Sequence, residues 1–161
     1  MKTIKRAQLK QFDILFWQAS FKQAKLGWLI RTITGDVVNH VGWYVGTKMG
    51  FPLAYESTRG GPSVNEFSKT YPPKYVGRFK IPLSDIMKLK LIMELHKLDP
   101  RKYDWVHLLG YFVGFDSVKK IMCPELINEP LKAVGRALRR NNEKPSGIFY
   151  SSDLEIFELV C

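Results

Sequence analysis

The sequence predicts an α+β fold, an antiparallel sheet or partial barrel packed against helices, and three observations lead there. "VNHVGWYVG" (38–46) and "LAYEST" (53–58) are β-type runs separated by the Gly- and Pro-containing "TKMGFP", the pattern of paired strands joined by a turn. "SDIMKLKLIMELHKL" (84–98) has the length and apolar spacing of a helix. Helical segments precede and follow the strands rather than alternating with each one, which separates α+β from α/β.

Each element has its own reason. "FDILF" (12–16) is a short apolar strand reached through the basic "MKTIKRAQLKQ". "FKQAKLGWLIRTITG" (21–35) places Leu26, Leu29, Ile30 and Ile33 at helical spacing, with Gly35 as a stop. "DVVNHVGWYVG" (36–46) is a strand rich in Val and aromatics, and "LAYEST" its partner, closed by an "RGGPS" loop. "KYVGRFKIPL" (74–83) is a strand broken at Pro82. In 84–98, Ser84 is the cap and Ile86, Leu89, Met93 and Leu95 mark the side expected to be buried. "DP" at 99–100 ends that helix. "YDWVHLLGYFVG" (103–114) reads equally as helix or strand. "CPELINEPLKAVGRALRR" (123–140) is helical, bent or divided at Pro130. "SSDLEIFELVC" reads as a short capped helix or a final edge strand.

A chain of 161 residues, 45% hydrophobic, is expected to form a single domain over 1–161 with a substantial core. Lys and Arg outnumber Asp and Glu by 25 to 15, a net charge of +10 that favours anionic partners. No apolar run approaches a membrane span, and no apolar segment follows the basic N-terminus as in a signal peptide. Synthesis and residence in a cytoplasm, a host cytoplasm or a virion included, is the resulting expectation. Cys123 and Cys161 do not make a disulfide framework. Neither metal-ligand spacing nor a nucleotide-binding fingerprint is present, so no metal or cofactor is expected.

Chemistry concentrates at three residues. Cys123 precedes Pro124 and Glu125 at a helix start, where the dipole and unpaired amides stabilise a thiolate and can hold an oxyanion. A buried structural thiol is the bland alternative. His40 shares a strand face with Gly42 and Tyr44, and Glu56 joins that face if the hairpin register has the right parity. A carboxylate beside an imidazole fixes its tautomer and supports the imidazolium while the other nitrogen serves the thiol. His96 reads as a cation in the last turn of its helix, and His107 as packing within an aromatic run. Trp17, Trp28, Trp43, Tyr44, Tyr55 and Trp105 read as core, with a substrate groove as the alternative. "KAVGRALRR" reads as a solvated basic helix face.

The ordered set of segments resembles the circularly permuted NlpC-like hydrolases of papain fold, in particular the YiiX-like branch. "FDILF" is similar to that family's GDILF motif, with Phe12 in place of its glycine. "LIRTITG", "VVNHVGWYVG" and "AYESTRGGPSV" resemble its helix, its His-Val-Gly strand and its acidic strand with a Gly-rich corner. "YDW", "CPELINEPL" and "SSDL" are similar to its late Tyr-Asp, its Cys-x-Glu-Leu helix start and its closing segment. The likeness runs from Phe12 to Leu154. It implies Cys123 as nucleophile, His40 as base and Glu56 as the orienting group, with histidine preceding cysteine in the chain as permutation requires. Pro124, where relatives often carry a small residue, and Pro130, inside a helix that usually continues, depart from the pattern.

Three functions follow. The leading one is a thiol hydrolase or acyltransferase that cleaves an amide or ester through an acyl-enzyme. The resemblance implies a peptidoglycan peptide or a lipid as substrate and admits a bacterial-virus origin. The second is a catalytically silent module of the same fold that contacts cell wall, membrane or an assembly partner through its basic surface. Nucleic-acid binding ranks last, since charge alone suggests it and no recognised motif accompanies it. The sequence leaves the oligomeric state open.

Overall fold

A computed structural model describes residues 1–18, 32, 35–58, 61–67, 71–98, 102–103, 120–121, 123–138 and 144–160. Most of the helix expected over 21–35, nearly all of the aromatic run 103–114 with Trp105 and His107, and Trp28 and Cys161 lie outside these residues.

The elements in chain order are β1 (Lys2–Lys5), a 3-10 turn (Arg6–Gln8), β2 (Ile14–Trp17), β3 (His40–Lys48), β4 (Phe51–Thr58), β5 (Gly61–Glu66), β6 (Tyr75–Phe79), α1 (Asp85–Leu98), β7 (Lys102–Tyr103), β8 (Lys120–Ile121), α2 (Cys123–Ala133), α3 (Pro145–Phe149) and β9 (Leu154–Val160). Seven strands form one sheet in the order β1-β9-β6-β2-β3-β4-β5. Every neighbouring pair is antiparallel except β1 with β9. The mixed α+β class therefore stands as expected.

Strand alternation gives the sheet two apolar faces. Ile14, Phe16, Val41, Trp43 and Tyr55 point toward α1, α2 and α3 and pack with Leu91, Leu95, Leu126, Ile127 and Ile148. Leu15, Trp17, Tyr44, Ala54 and Val76 build the opposite cluster with Ile4, Phe67 and Leu159.

The β3–β4 hairpin turns at Met49 and Gly50, with φ of 51° and 85°. Two successive positive φ values are the signature of a tight two-residue turn whose twist matches its strands. Met49 tolerates that conformation at the exposed tip, where its side chain is 89% exposed.

Several expectations are corrected. Residues 61–63, expected within the RGGPS loop, instead open β5, which lies at the edge of the sheet and so tolerates Pro62 without losing a needed N–H bond. The Lys-rich N-terminus supplies β1 at the other edge, where lysines discourage pairing with further strands. The last segment is a strand, but β1 covers it, so it is internal rather than an edge. Helix α1 does begin after Ser84, whose Oγ accepts from the Met87 amide at 3.3 Å. Its buried residues, however, are Leu91, Leu95 and Leu98, while Ile86, Leu89 and Met93 face outward.

Helix α2 is neither divided at Pro130 nor extended to residue 140. A proline lacks the N–H that would bond the carbonyl four residues earlier, here that of Leu126. The indole Nε1–H of Trp43 donates to that carbonyl at 2.9 Å, so the proline leaves no orphan there. The helix stops at Gly135, whose φ is 73°. The Arg136 amide donates to Leu131 O at 2.7 Å and the Gly135 amide to Lys132 O at 3.0 Å, closing a Schellman motif. Arg136 thus lies beyond the helix, not on its face, and Arg139 and Arg140 fall outside the described residues.

Phe12 has a φ of 68°. That left-handed conformation suits the glycine of the resembled motif and strains any other residue. The ring stays because it is 3% exposed and packs edge-on against Trp43, with centroids 6.1 Å apart. Phe12→Gly is expected to relieve about 1–2 kcal/mol of backbone strain and forfeit about 3–5 kcal/mol of burial, a net destabilisation of about 2–3 kcal/mol. Urea denaturation measures it; a variant as stable as the parent would show that the ring contributes no more than the strain takes away.

Candidate active site

His40 opens β3, Glu56 lies near the end of β4, and Cys123 is the first residue of α2. The hairpin register pairs Gly42 directly with Glu56, so His40, two residues before Gly42, shares a face with Glu56 on a diagonal. Gly42 makes the diagonal short. A Cβ at that position would lie 2.9 Å from the Tyr55 carbonyl and 3.1 Å from the Glu56 Cβ. With only hydrogen there, His40 Nε2 reaches Glu56 Oε2 at 2.6 Å, a charge-assisted distance. The two side chains are 18% and 14% exposed.

The register also pairs His40 with Trp17, and their ring centroids are 5.1 Å apart. The indole covers one side of the imidazole. Glu56 is held from its far side too, because Asn65 Nδ2 donates to Oε1 at 3.3 Å and to Ser63 Oγ at 2.9 Å. Sequence reasoning missed Asn65, since Pro62 disguised β5 as a loop. The alternation of Ser63, Val64 and Asn65 was the one signal that could have found it.

Cys123 is buried, 7% exposed, and lies within hydrogen-bonding and electrostatic reach of His40. Glu56 occupies Nε2, which leaves Nδ1 as the ring nitrogen for the sulfur. Burial alone would lower the imidazole pKa. The charge and hydrogen bond of Cys123, reinforced by those of Glu56, outweigh burial and push it up to about 10. Pro124 follows in the first turn, and Glu125 places an acid at the positive end of the helix. Glu56 and Cys123 thus both act on the same imidazole, Glu56 through a hydrogen bond to Nε2. His96 is exposed in the last turn of α1. Trp43 and Tyr55 belong to the core: the Tyr55 hydroxyl donates to Leu95 O at 3.0 Å.

No family model matches the chain. No curated protein matches it either. Among solved structures it is similar in fold to the crystal structure of the metalloprotein yiiX from Escherichia coli O157:H7, DUF1105, with a TM-score of 0.63 and 18% identity. The match covers 92% of this chain and 96% of that one. The fold is therefore YiiX-like.

A metal centre does not fit the residues seen here. Among the described residues no group of three or more His, Cys, Asp or Glu is arranged to hold a metal ion. Two ligands of one tetrahedral zinc are separated by about 3.3 Å, given metal–ligand distances near 2.0 Å. The 2.6 Å between His40 and Glu56 is instead a direct hydrogen bond. Among the described residues no helix is long and apolar enough to cross a membrane.

Proposed function

We propose that the protein is a thiol hydrolase or acyltransferase of the permuted papain-like type, with Cys123 as nucleophile, His40 as acid and base, and Glu56 as the group that orients His40. The observation that carries this reading is a single imidazole that bonds the Glu56 carboxylate at 2.6 Å and also interacts with the Cys123 thiol. Structural histidines need one partner; a proton relay needs two of opposite roles.

In this mechanism the Cys123 sulfur attacks an amide or ester carbonyl, and the imidazolium of His40 gives its proton to the departing amine or alcohol. The thioester is then opened by water or another acceptor, which loses its proton to the same nitrogen. Glu56 keeps the ring in place throughout and stabilises its charged form. The amide end of α2 faces the developing oxyanion. Pro124 offers no N–H to that task, so the Cys123 amide and a second donor carry it. A peptidoglycan peptide is the first substrate to try and a lipid amide or ester the second. A role in loosening the cell wall from a virion extends this reading by resemblance alone.

Trapping the acyl-enzyme tests nucleophile and substrate together. Incubation with peptidoglycan fragments, and separately with phospholipid, followed by mass spectrometry is expected to show an acyl adduct on the peptide that carries Cys123. The adduct and any hydrolysis should vanish in Cys123→Ala with the fold intact by circular dichroism. Hydrolysis that survives this substitution would end the thiol mechanism. The silent-module reading then inherits the fold, and Pro124 together with the 7% exposure of Cys123 is what favours it.

A further inference from the structure

Helix α1 reads DIMKLKLIMELHKL and is apolar on two opposite sides. Leu91, Leu95 and Leu98 face the core. At 3.6 residues per turn, Leu89, Met93 and Ile86 fall on the side directly opposite. They are 64%, 62% and 68% exposed, and Ile81, just before the helix, is 66% exposed. A surface helix normally turns a polar face to water, and one that is apolar all round normally has a neighbour on each side.

We propose that this outer face of α1 docks on an anionic phospholipid bilayer. The charges around it fit that partner. Lys90 flanks the apolar crest and is left over once the ion pairs of the helix are counted, and Lys80, next to Ile81, adds a second exposed positive charge while donating to Ser152 O at 2.8 Å. The two acids of the helix are already neutralised: Asp85 pairs with Lys88 at 2.8 Å and Glu94 with Lys97 at 2.6 Å. Apolar side chains between lysines are the arrangement that inserts at the headgroup boundary, with the ammonium groups kept at phosphate level. The chain's net charge of +10 adds long-range attraction to such a surface.

A second copy of the chain is a poorer occupant. The crest offers on the order of 400 Å² of apolar surface, within the range of a single-molecule patch. A stable dimer buries about 800 Å² on each partner. Pairing would also bring two chains of +10 together. On another side of the same helix, Ile92, Leu95 and His96 line a cleft of about 500 Å³ together with Phe12, Tyr55 and Val64. A mobile acyl chain can enter such a cleft, whereas a rigid helix surface cannot.

The test is sedimentation of the full chain with vesicles of phosphatidylcholine alone or mixed with phosphatidylglycerol. Binding to the anionic vesicles is expected to exceed binding to the neutral ones by tenfold or more, at about physiological salt. Leu89→Glu/Met93→Glu is expected to reduce it about tenfold, as two charged groups meet the acyl boundary. Both positions are exposed, so folding should survive. If thermal melting shows otherwise, Leu89→Gln/Met93→Gln replaces it. No binding to anionic vesicles, or binding indifferent to these substitutions, overturns the proposal. So does a dimer abolished by the same substitutions in a chain that ignores vesicles. Alkylation of Cys123 should proceed at the parental rate in these variants, so the fate of this inference and that of the thiol mechanism are separately readable.

Discussion

Alkylation of Cys123 at pH 7 is expected to slow about 30-fold when His40 becomes alanine, because an unassisted thiol is only a few per cent ionised at that pH. In the mechanism proposed above an imidazolium beside the sulfur is what activates it, and Glu56 favours the imidazolium. The experiment uses a Cys161→Ser background, so that Cys123 is the one thiol present. His40→Gln, closer in volume, guards against a packing defect. The charge of His40 has its own readout, since its pKa is raised to about 10. A raised pKa means the ring keeps its proton through neutral pH and loses it as pH rises through about 10. Below that pH the imidazolium attracts anionic iodoacetate relative to neutral iodoacetamide; above it the attraction disappears. The ratio of the two rates is therefore expected to fall as pH climbs through about 10, and to be flat there in His40→Ala. In Glu56→Gln the fall should come at lower pH, because the carboxylate charge that supports the imidazolium is gone. Equal parental and His40→Ala rates at pH 7 would dissolve the relay.

The strands that build this site were legible because they are rich in valine and aromatic residues and are separated by a Gly- and Pro-containing turn. "HVGWYVG" and "LAYEST" declare themselves, and the shared face of His40 and Glu56 followed once Gly42 was seen to pair with Glu56. The edges of the sheet were not legible. β1 is four residues with three charges or hydroxyls, and β5 contains a proline, so neither has the apolar run that marks a strand. Edge strands avoid that run because it invites aggregation, and what protects them from other chains also hides them from the reader.

Helix α1 misled for a different reason. With leucine, isoleucine or methionine on both sides, periodicity says helix without saying which side is inside. The expected buried set of Ile86, Leu89, Met93 and Leu95 took three of its four members from the exposed crest. In α2 the sequence showed a proline and implied a break. Only the structure shows Trp43, 83 residues distant, supplying the hydrogen bond that the proline cannot. Local rules state what a residue lacks, and tertiary contacts decide whether the lack matters.

Arg78→Met is expected to destabilise the fold by about 3–5 kcal/mol, the usual consequence of stranding a buried charge. Asp13 is 3% exposed. Arg78 holds it through two bonds, Nε to Oδ1 at 2.9 Å and Nη2 to Oδ2 at 2.6 Å, while the Lys10 amide donates to Oδ2 at 2.8 Å. Without the guanidinium only the Lys10 amide remains among these donors, and water has little access to replace the rest. The same guanidinium lies 5.7 Å from the Phe157 ring and donates to Gln8 O at 2.8 Å, so methionine, which keeps much of the stem, isolates the loss of charge and donors. The effect should reach β3, because the Phe12 amide donates to Tyr44 O at 2.9 Å and the Tyr44 amide to Asp13 O at 2.8 Å. That double clasp fixes the Phe12–Asp13 turn to the strand that begins with His40. Urea denaturation of Arg78→Met, Asp13→Asn and the double variant gives the coupling. If the pair is bound as its geometry says, the double variant should recover part of the loss, since asparagine leaves no buried charge to strand. Additive losses would mean that Arg78 stabilises the fold through Phe157 and Gln8 rather than through Asp13.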